Sequence, residues 1–368
     1  DPLAEGGKNA PAMGQELNKL IRENLYFLPF VRMVTNKILG GTRLAGYNTP
    51  NIDFKRFEIA GADYLITSGW VSSDTVQLRV FETMGGNLVL GRAYTDVESD
   101  TLVQVADKFC AEFMRILTGH GEFFLSTLAF VKTEGENRNL WTVRPTGRSL
   151  KKLTNMTGIA MSPSWSSDAR FIIFSHINKT SHALGVWDRR TGQTQRVKFP
   201  GNTVIGPTFM PDNKVAVSLA QHGYPNIYLL NHSFKRERVL EDSGGIDVSP
   251  SFDATGTKMA FTSSRLGNPH VFLKDMPSGQ VRRVSQNGTY NTEPSISPDG
   301  TLVAFSRMTD KGFRIFVYDV LTGEERQVSF GPGRDEQPSF APDSYFLAFV
   351  SNRSGKKQIY LTPRHGGE

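Results

Sequence analysis

From about residue 125 onward, short apolar runs return at a fixed interval. Prolines at Pro163, Pro207, Pro250, Pro294 and Pro338 stand 44, 43, 44 and 44 residues apart. Each is followed by a small hydroxyl residue, an aromatic or aliphatic one and a polar turn. An apolar run then begins: "IIFS" at Ile172, "VAVS" at Val215, "MAFT" at Met259, "VAFS" at Val303 and "LAFV" at Leu347. A further copy, "LAFV" at Leu128, lies 44 residues before Ile172. Each unit adds a second apolar run ("NLWTV", "LGVWD", "NIYLL", "HVFLK", "RIFVY", "QIYLT"), and five of the six end in a short basic or polar one, such as "TQRVKF" or "VRRVSQ".

Four strands of about six residues joined by short turns fill a unit of this length. One such sheet cannot bury both of its faces, and stacking the units radially does so, which predicts a β-propeller. Asp299-Gly300 supplies a tight turn from first to second strand. Thr-Gly at 191–192 and 322–323 and Ser-Gly at 278–279 turn the third strand into the fourth. Six units predict six blades over residues 125–368. The sixth unit stops after its third strand and the first has no proline strand, so a closing segment of about 20 residues is expected after Glu368.

Residues 1–120 follow another pattern. "MGQELNKLIREN" sets Met13, Leu17, Leu20 and Ile21 on one helical face, and "GADYLITSGWV" reads as a strand. "TVQLRVFETMGGNLVLGRAYTDV" alternates about Gly85-Gly86 as a hairpin does, and Leu102–Leu117 forms an amphipathic helix stopped by Thr118-Gly119. The predicted fold class is therefore mainly β, a six-bladed propeller preceded by a small α/β domain.

Composition narrows the chemistry. The excess of 42 basic over 36 acidic residues is spread along the chain with no basic block, so no nucleic-acid partner is expected. The single cysteine, Cys110, excludes an internal disulfide and lies in a helical apolar pattern that makes it a core residue. No run of 18 apolar residues is present. The chain starts at Asp1 without Met, which reads as a mature or trimmed form.

The phrases "PSWSSD", "SPDGTLVAFS", "SSRLGNPHVFLKD", "GTYNTEPSISPDG" and "DEQPSFAPDSYFLAFVSN" resemble the repeats of the TolB family, periplasmic components of the Tol–Pal envelope system of Gram-negative bacteria. "GADYLITSGWV", "GGNLVLGRAYTDV" and "ADKFCAEFMRILTG" resemble that family's N-terminal domain. Some stretches depart from it: Phe252-Asp253-Ala254-Thr255-Gly256 and Phe209-Met210-Pro211-Asp212 stray from Ser-Pro-Asp-Gly, and "NHSFKRERVL" lacks the glycine turn. The resemblance implies a monomeric periplasmic adaptor without a cofactor, whose propeller face receives the lipoprotein Pal and which supports outer-membrane integrity and cell division. It also implies that an extreme N-terminal segment contacts TolA, and Asp1 is expected to follow that segment.

The residues themselves carry few catalytic signatures. The histidines at 120, 176, 182, 222, 232, 270 and 365 are dispersed, and no HExxH or Gly-x-Ser-x-Gly occurs. "GGTRLAG" at Gly40 lacks the ending of a phosphate loop. What remains is a binding surface at one mouth of the propeller. The residues leading into each proline strand and the loops between second and third strands converge there. They are Met161, His222, Tyr224, Arg265, Asn268, Pro269, His270, Tyr290, Asn291, Thr292, Glu293, Asp335 and Glu336, a mixture suited to an interface. A hydrolase or lyase built on Asp247, Glu293, Asp335 and Glu336, and a sensor propeller binding peptide or sugar, are the alternatives.

Overall fold

The computed structural model describes residues 3–4, 10–34, 52–201, 203–220 and 223–366, in two compact units, Asp1–Leu125 and Ser126–Glu368. Both His222 and the glycine-rich stretch at 40–46 lie outside the described residues.

In the first unit the predicted elements form Ala10–Tyr26, Tyr64–Trp70, Val76–Glu82, Leu88–Tyr94 and Leu102–Thr118. Leu3–Ala4 adds a short parallel strand beside Tyr64–Trp70, which makes the latter an inner strand of a four-stranded sheet. The two long helices pack on each other, with Cys110 Sγ 3.9 Å from the Ile21 carbonyl oxygen, and Leu17, Ile21 and Leu25 of one and Phe109, Cys110, Phe113 and Met114 of the other are buried. Asn24 Nδ2 donates to Asp107 Oδ1 at 3.0 Å within that interface. Gly119 caps the second long helix at φ +81°, a conformation that glycine adopts without steric cost. Two short helices, Phe54–Ile59 and Glu122–Leu125, are too brief to show a periodic pattern and were not expected.

The second unit is a six-bladed β-propeller. Blade one consists of Leu128–Glu134, Asn137–Val143 and Lys151–Lys152. Four four-stranded blades follow, with innermost strands Ile159–Trp165, Thr203–Phe209, Asp247–Phe252 and Asn291–Ile296; blade six consists of Asp335–Phe340, Phe346–Ser351 and Gln358–Pro363. Within a blade, consecutive strands pair antiparallel, and one parallel pair, Arg138 with Ile159, links blades one and two. The second strands are continuous apolar runs because both of their faces are covered. In Leu302–Thr309, Leu302 and Ala304 pack with Leu347 and Phe349 of blade six, whereas Val303 and Phe305 pack with Ala260, Val271 and Leu273 of blade four.

The repeated phrase builds the inner joints. Each innermost strand breaks register between the residue two before its proline and the residue after it. The residue before the proline (Ser162, Gly206, Ser249, Glu293 or Gln337) has φ between +50° and +58°. This is a β-bulge placed once in each of blades two to six. Bulges of neighbouring blades meet: a Cβ on Gly206 would come within 2.9 Å of the Ser249 Cα. The hydroxyl after the proline then joins blade to blade. Phe209 N–H donates to Ser164 Oγ at 3.2 Å, Ile296 N–H to Ser251 Oγ at 3.1 Å, and Phe340 N–H to Ser295 Oγ at 3.1 Å.

The departures noted in the sequence keep the same geometry. Ala169, Asn213 and Ser344 take the positive-φ turn position that Gly256 and Gly300 hold in their blades. In "NHSFKRERVL", Phe234 occupies the glycine position at φ +57°, while Asn231 Oδ1 accepts from the Ser233 and Lys235 N–H groups. The basic outer strands act partly as mortar. Arg282 reaches the Val320 carbonyl of the next blade at 3.1 Å, and Arg326 reaches the Arg364 carbonyl at 3.1 Å.

Candidate functional site: the loop end of the propeller

Strand register sets which groups share an end. Asp247 pairs with Ser263, and Ser263 with His270; Asn291 pairs with Arg307, and Arg307 with Arg314; Asp335 pairs with Ser351, and Ser351 with Gln358. The starts of innermost strands, the loops between second and third strands and the connections between blades therefore lie at one end of blades four to six. Tyr224 and Met161 belong to the corresponding positions of blades three and two.

This end is braced by arginines. Arg265 stacks over Phe272 with 4.7 Å from Cζ to the ring centre and pairs with Glu241 at 2.6 Å and Asp247 at 3.3 Å. Arg353 repeats the arrangement over Tyr360 at 4.8 Å and pairs with Asp335 at 3.0 Å. Arg307 stacks over Phe316 at 4.2 Å, donates from Nε to Asn291 Oδ1 at 2.8 Å, and pairs with Glu325 at 2.7 Å. None of Arg307, Arg353, Glu241 and Glu325 was among the residues expected from sequence. Their signal was present, an arginine in "SSR", "FSR" and "SNR" at the end of three second strands, but its carboxylate partners are remote in the chain.

The twelve expected residues that the structure describes, His222 being the thirteenth, divide by exposure. Asn291 and Asp335 are fully buried and His270 nearly so, so these three turn into the blade rather than outward, a correction to their reading as surface contacts. The buried carboxylate of Asp335 needs its arginine, and Asn291 and His270 complete a polar network. Arg265 is half-buried, held by its rings and carboxylates. Tyr224 is 62% exposed and Tyr290 40% exposed, the latter edge-on to Phe313 with ring centres 5.9 Å apart. Asn268 is exposed; Met161, Pro269, Thr292, Glu293 and Glu336 are half-buried. The Pro269 carbonyl accepts the Asn291 N–H at 2.9 Å, and Glu336 is paired with Arg334 and Lys357. Ile246, Leu266, Met308 and Phe330, which were not singled out, are exposed apolar side chains in the same loops and strand ends.

Three titrating groups at this end are displaced. Burial holds the Glu293 carboxyl above the usual range, although Oε2 accepts from Ser306 Oγ at 3.0 Å and from the Gln337 N–H at 3.1 Å. Burial, with Arg283 and Arg307 nearby, holds His270 below the usual imidazole value. Its tautomer follows from its neighbour: the Arg307 contact fixes Asn291 Oδ1, so Asn291 Nδ2 faces His270 Nδ1 at 3.2 Å and that nitrogen must accept. His176 is likewise depressed, by burial and then by Arg196. A depressed histidine stabilises the fold above about pH 6.5 and loses that contribution as pH falls toward its folded value. The propeller melting temperature is thus expected to fall as the pH drops below about 6.5. His270→Asn, which keeps an acceptor near Nδ1, should flatten the decline; thermal melts of both proteins across this range check it, and parallel curves would count against the assignment.

An end built from loops over ion-paired, aromatic-stacked arginines, carried on radially stacked antiparallel blades, defines the class: a six-bladed propeller that presents a loop surface. The chain belongs to the TolB family, matching the TolB beta propeller domain over residues 114–366. It is 64% identical over 263 residues to the Tol-Pal system protein TolB of Nitratidesulfovibrio vulgaris, a match covering 70% of this chain and 60% of that protein. It is 32% identical over 266 residues to the Protein TolB homolog of Chlorobium luteolum, covering 71% of this chain and 60% of the homolog. The matches thus span about 60% of the length of these relatives. The crystal structure of TolB from Acinetobacter baumannii superposes with a TM-score of 0.82 at 22% identity, covering 96% of this chain and 91% of that one, a likeness of fold.

Proposed function

We propose that this protein is a non-enzymatic component of a Tol–Pal system that works in the periplasm and docks the lipoprotein Pal on the loop end of its propeller, so supporting envelope integrity and division. The observation that carries the reading is the 64% identity to a Tol-Pal system protein. The geometry supports it from the other side. Tyr224, Leu266 and Tyr290, with Ile246, Met308 and Phe330, are exposed apolar and aromatic side chains on a braced frame, the composition that anchors protein interfaces. The carboxylates that a channel hydrolase would use are already engaged. Asp247 and Asp335 are buried against arginines, Glu336 holds Arg334 and Lys357, and Glu293 bridges Ser306 and Gln337. No helix among the described residues is long and apolar enough to cross a membrane, and attachment through partners alone is part of the proposal, as is a contact with TolA.

A titration of this chain with Pal of the same organism tests the reading. Micromolar or tighter binding is expected, and Tyr290→Ala together with Leu266→Ala should weaken it at least roughly tenfold, as loss of interface anchors does. Absence of binding by folded protein would overturn it.

A further inference from the structure

The loop that carries Tyr290 is fastened from below by one side chain of the neighbouring blade. Residues 284–290 connect the outer strand of blade four, Val281–Arg283, to the innermost strand of blade five, Asn291–Ile296. Glu325 lies on the outermost strand of blade five, Glu325–Gln327. Its carboxylate accepts three donors: the Gln286 N–H at 2.6 Å, Asn287 Nδ2 at 2.8 Å and Arg307 Nη2 at 2.7 Å. The first two belong to the loop, and the third lies beneath it. Gly288 sits directly against Arg307, where an added Cβ would stand 3.1 Å from Cδ. The loop closes on itself when Asn291 Nδ2 donates to the Asn287 carbonyl at 3.1 Å. The side chains of Arg307 and Glu325 are 7% and 5% exposed, so neither offers a surface to a partner.

We propose that Glu325 is the positioning residue of the docking surface, holding the 286–290 loop, and with it Tyr290, in the orientation that a partner meets. A carboxylate suits this task because it alone can accept the backbone N–H, the amide and the guanidinium at once. The Glu325 carboxylate is itself held by the nearly buried Arg307, so the exposed loop residues Gln286 and Asn287 are tied to a fixed group, which lowers the ordering cost of binding at Tyr290. The proposal rests on the Pal-docking reading for its consequence but not for its geometry.

The experiment uses the full chain carrying Arg307→Met and Glu325→Met together. Exchanging both members of a buried pair for apolar side chains spares the fold the stranded charge that either single change leaves. The doubly substituted protein should unfold cooperatively near the parent temperature. Amide hydrogen exchange at Gln286 through Tyr290 should nevertheless quicken at least roughly tenfold while the amides of blades two and three stay unchanged. Affinity for Pal should fall about tenfold, mostly through faster dissociation. Unaltered exchange at Gln286 overturns the proposal, and so does quickened exchange with undiminished Pal affinity. If the parent chain itself does not bind Pal, the docking reading fails and the exchange result still decides whether Glu325 holds the loop. Should the double variant not fold, Asn287→Ala removes a single loop contact from an exposed residue. It should quicken the same amides and weaken binding by about threefold, and no change in either would count against Glu325.

Discussion

Arg307→Met is expected to cost the propeller about 3–5 kcal/mol, the usual penalty for removing one partner of a buried ion pair. Glu325 would keep its charge at 5% side-chain exposure with only the Gln286 and Asn287 donors left. Asn291 Oδ1 would lose the Nε donor that orients its amide, and with it the geometry that presents Nδ2 to His270. Methionine still covers Phe305 and Phe316, so the loss is electrostatic and not a cavity. For a unit of this size the melting temperature should drop by roughly 6–20 °C. Denaturant and thermal unfolding measure it, and a loss under about 1 kcal/mol would show that the pair is dispensable.

Phe305→Ala should match that effect by a different route. Phe305 is fully buried in the cluster that joins blades four and five, where Ala260, Val271, Leu273 and Val303 surround it. It stacks on Phe316 with ring centres 6.3 Å apart and forms part of the surface under Arg307, 5.2 Å from the guanidinium carbon. Truncation at a close-packed aromatic costs about 3–5 kcal/mol through lost transfer energy and the cavity left behind. Because Phe305 and Arg307 touch, the two losses should not add. A double-mutant cycle is expected to return a coupling of at least about 0.5 kcal/mol, whereas strict additivity would refute the stacked arrangement.

The frame of the protein was legible because its physics repeats. Both faces of the second strands are buried, so "IIFS", "MAFT" and "VAFS" are continuous apolar runs, and the turn chemistry of Asp299-Gly300 and its relatives punctuates them. The joints are not legible in the sequence because they form only between blades. Nothing in "PSW" or "PSI" says that the serine serves the backbone of the next blade 45 residues on. At the loop end, residue type suggested the right region but not direction. His270, Asn291 and Asp335 look like contact residues in the chain and prove to be buried supports, a difference decided by Arg307 and Arg353. Exposed apolar residues such as Leu266 and Ile246 give no signal in the sequence, because single apolar residues in loops carry no pattern.

The bulge of blades two to six has a practical meaning for anyone redesigning this molecule. Its positive-φ residue is Ser, Gly, Ser, Glu or Gln in turn; Gly206 has no room for a Cβ beside the Ser249 Cα, and the Glu293 side chain accepts the Gln337 N–H of the next blade. Ser162 and Gln337 remain exposed there although they belong to innermost strands. These two sites form a ready-made palette: an engineer could recolour them with acids, bases or amides and leave the strand pairing that closes each blade untouched.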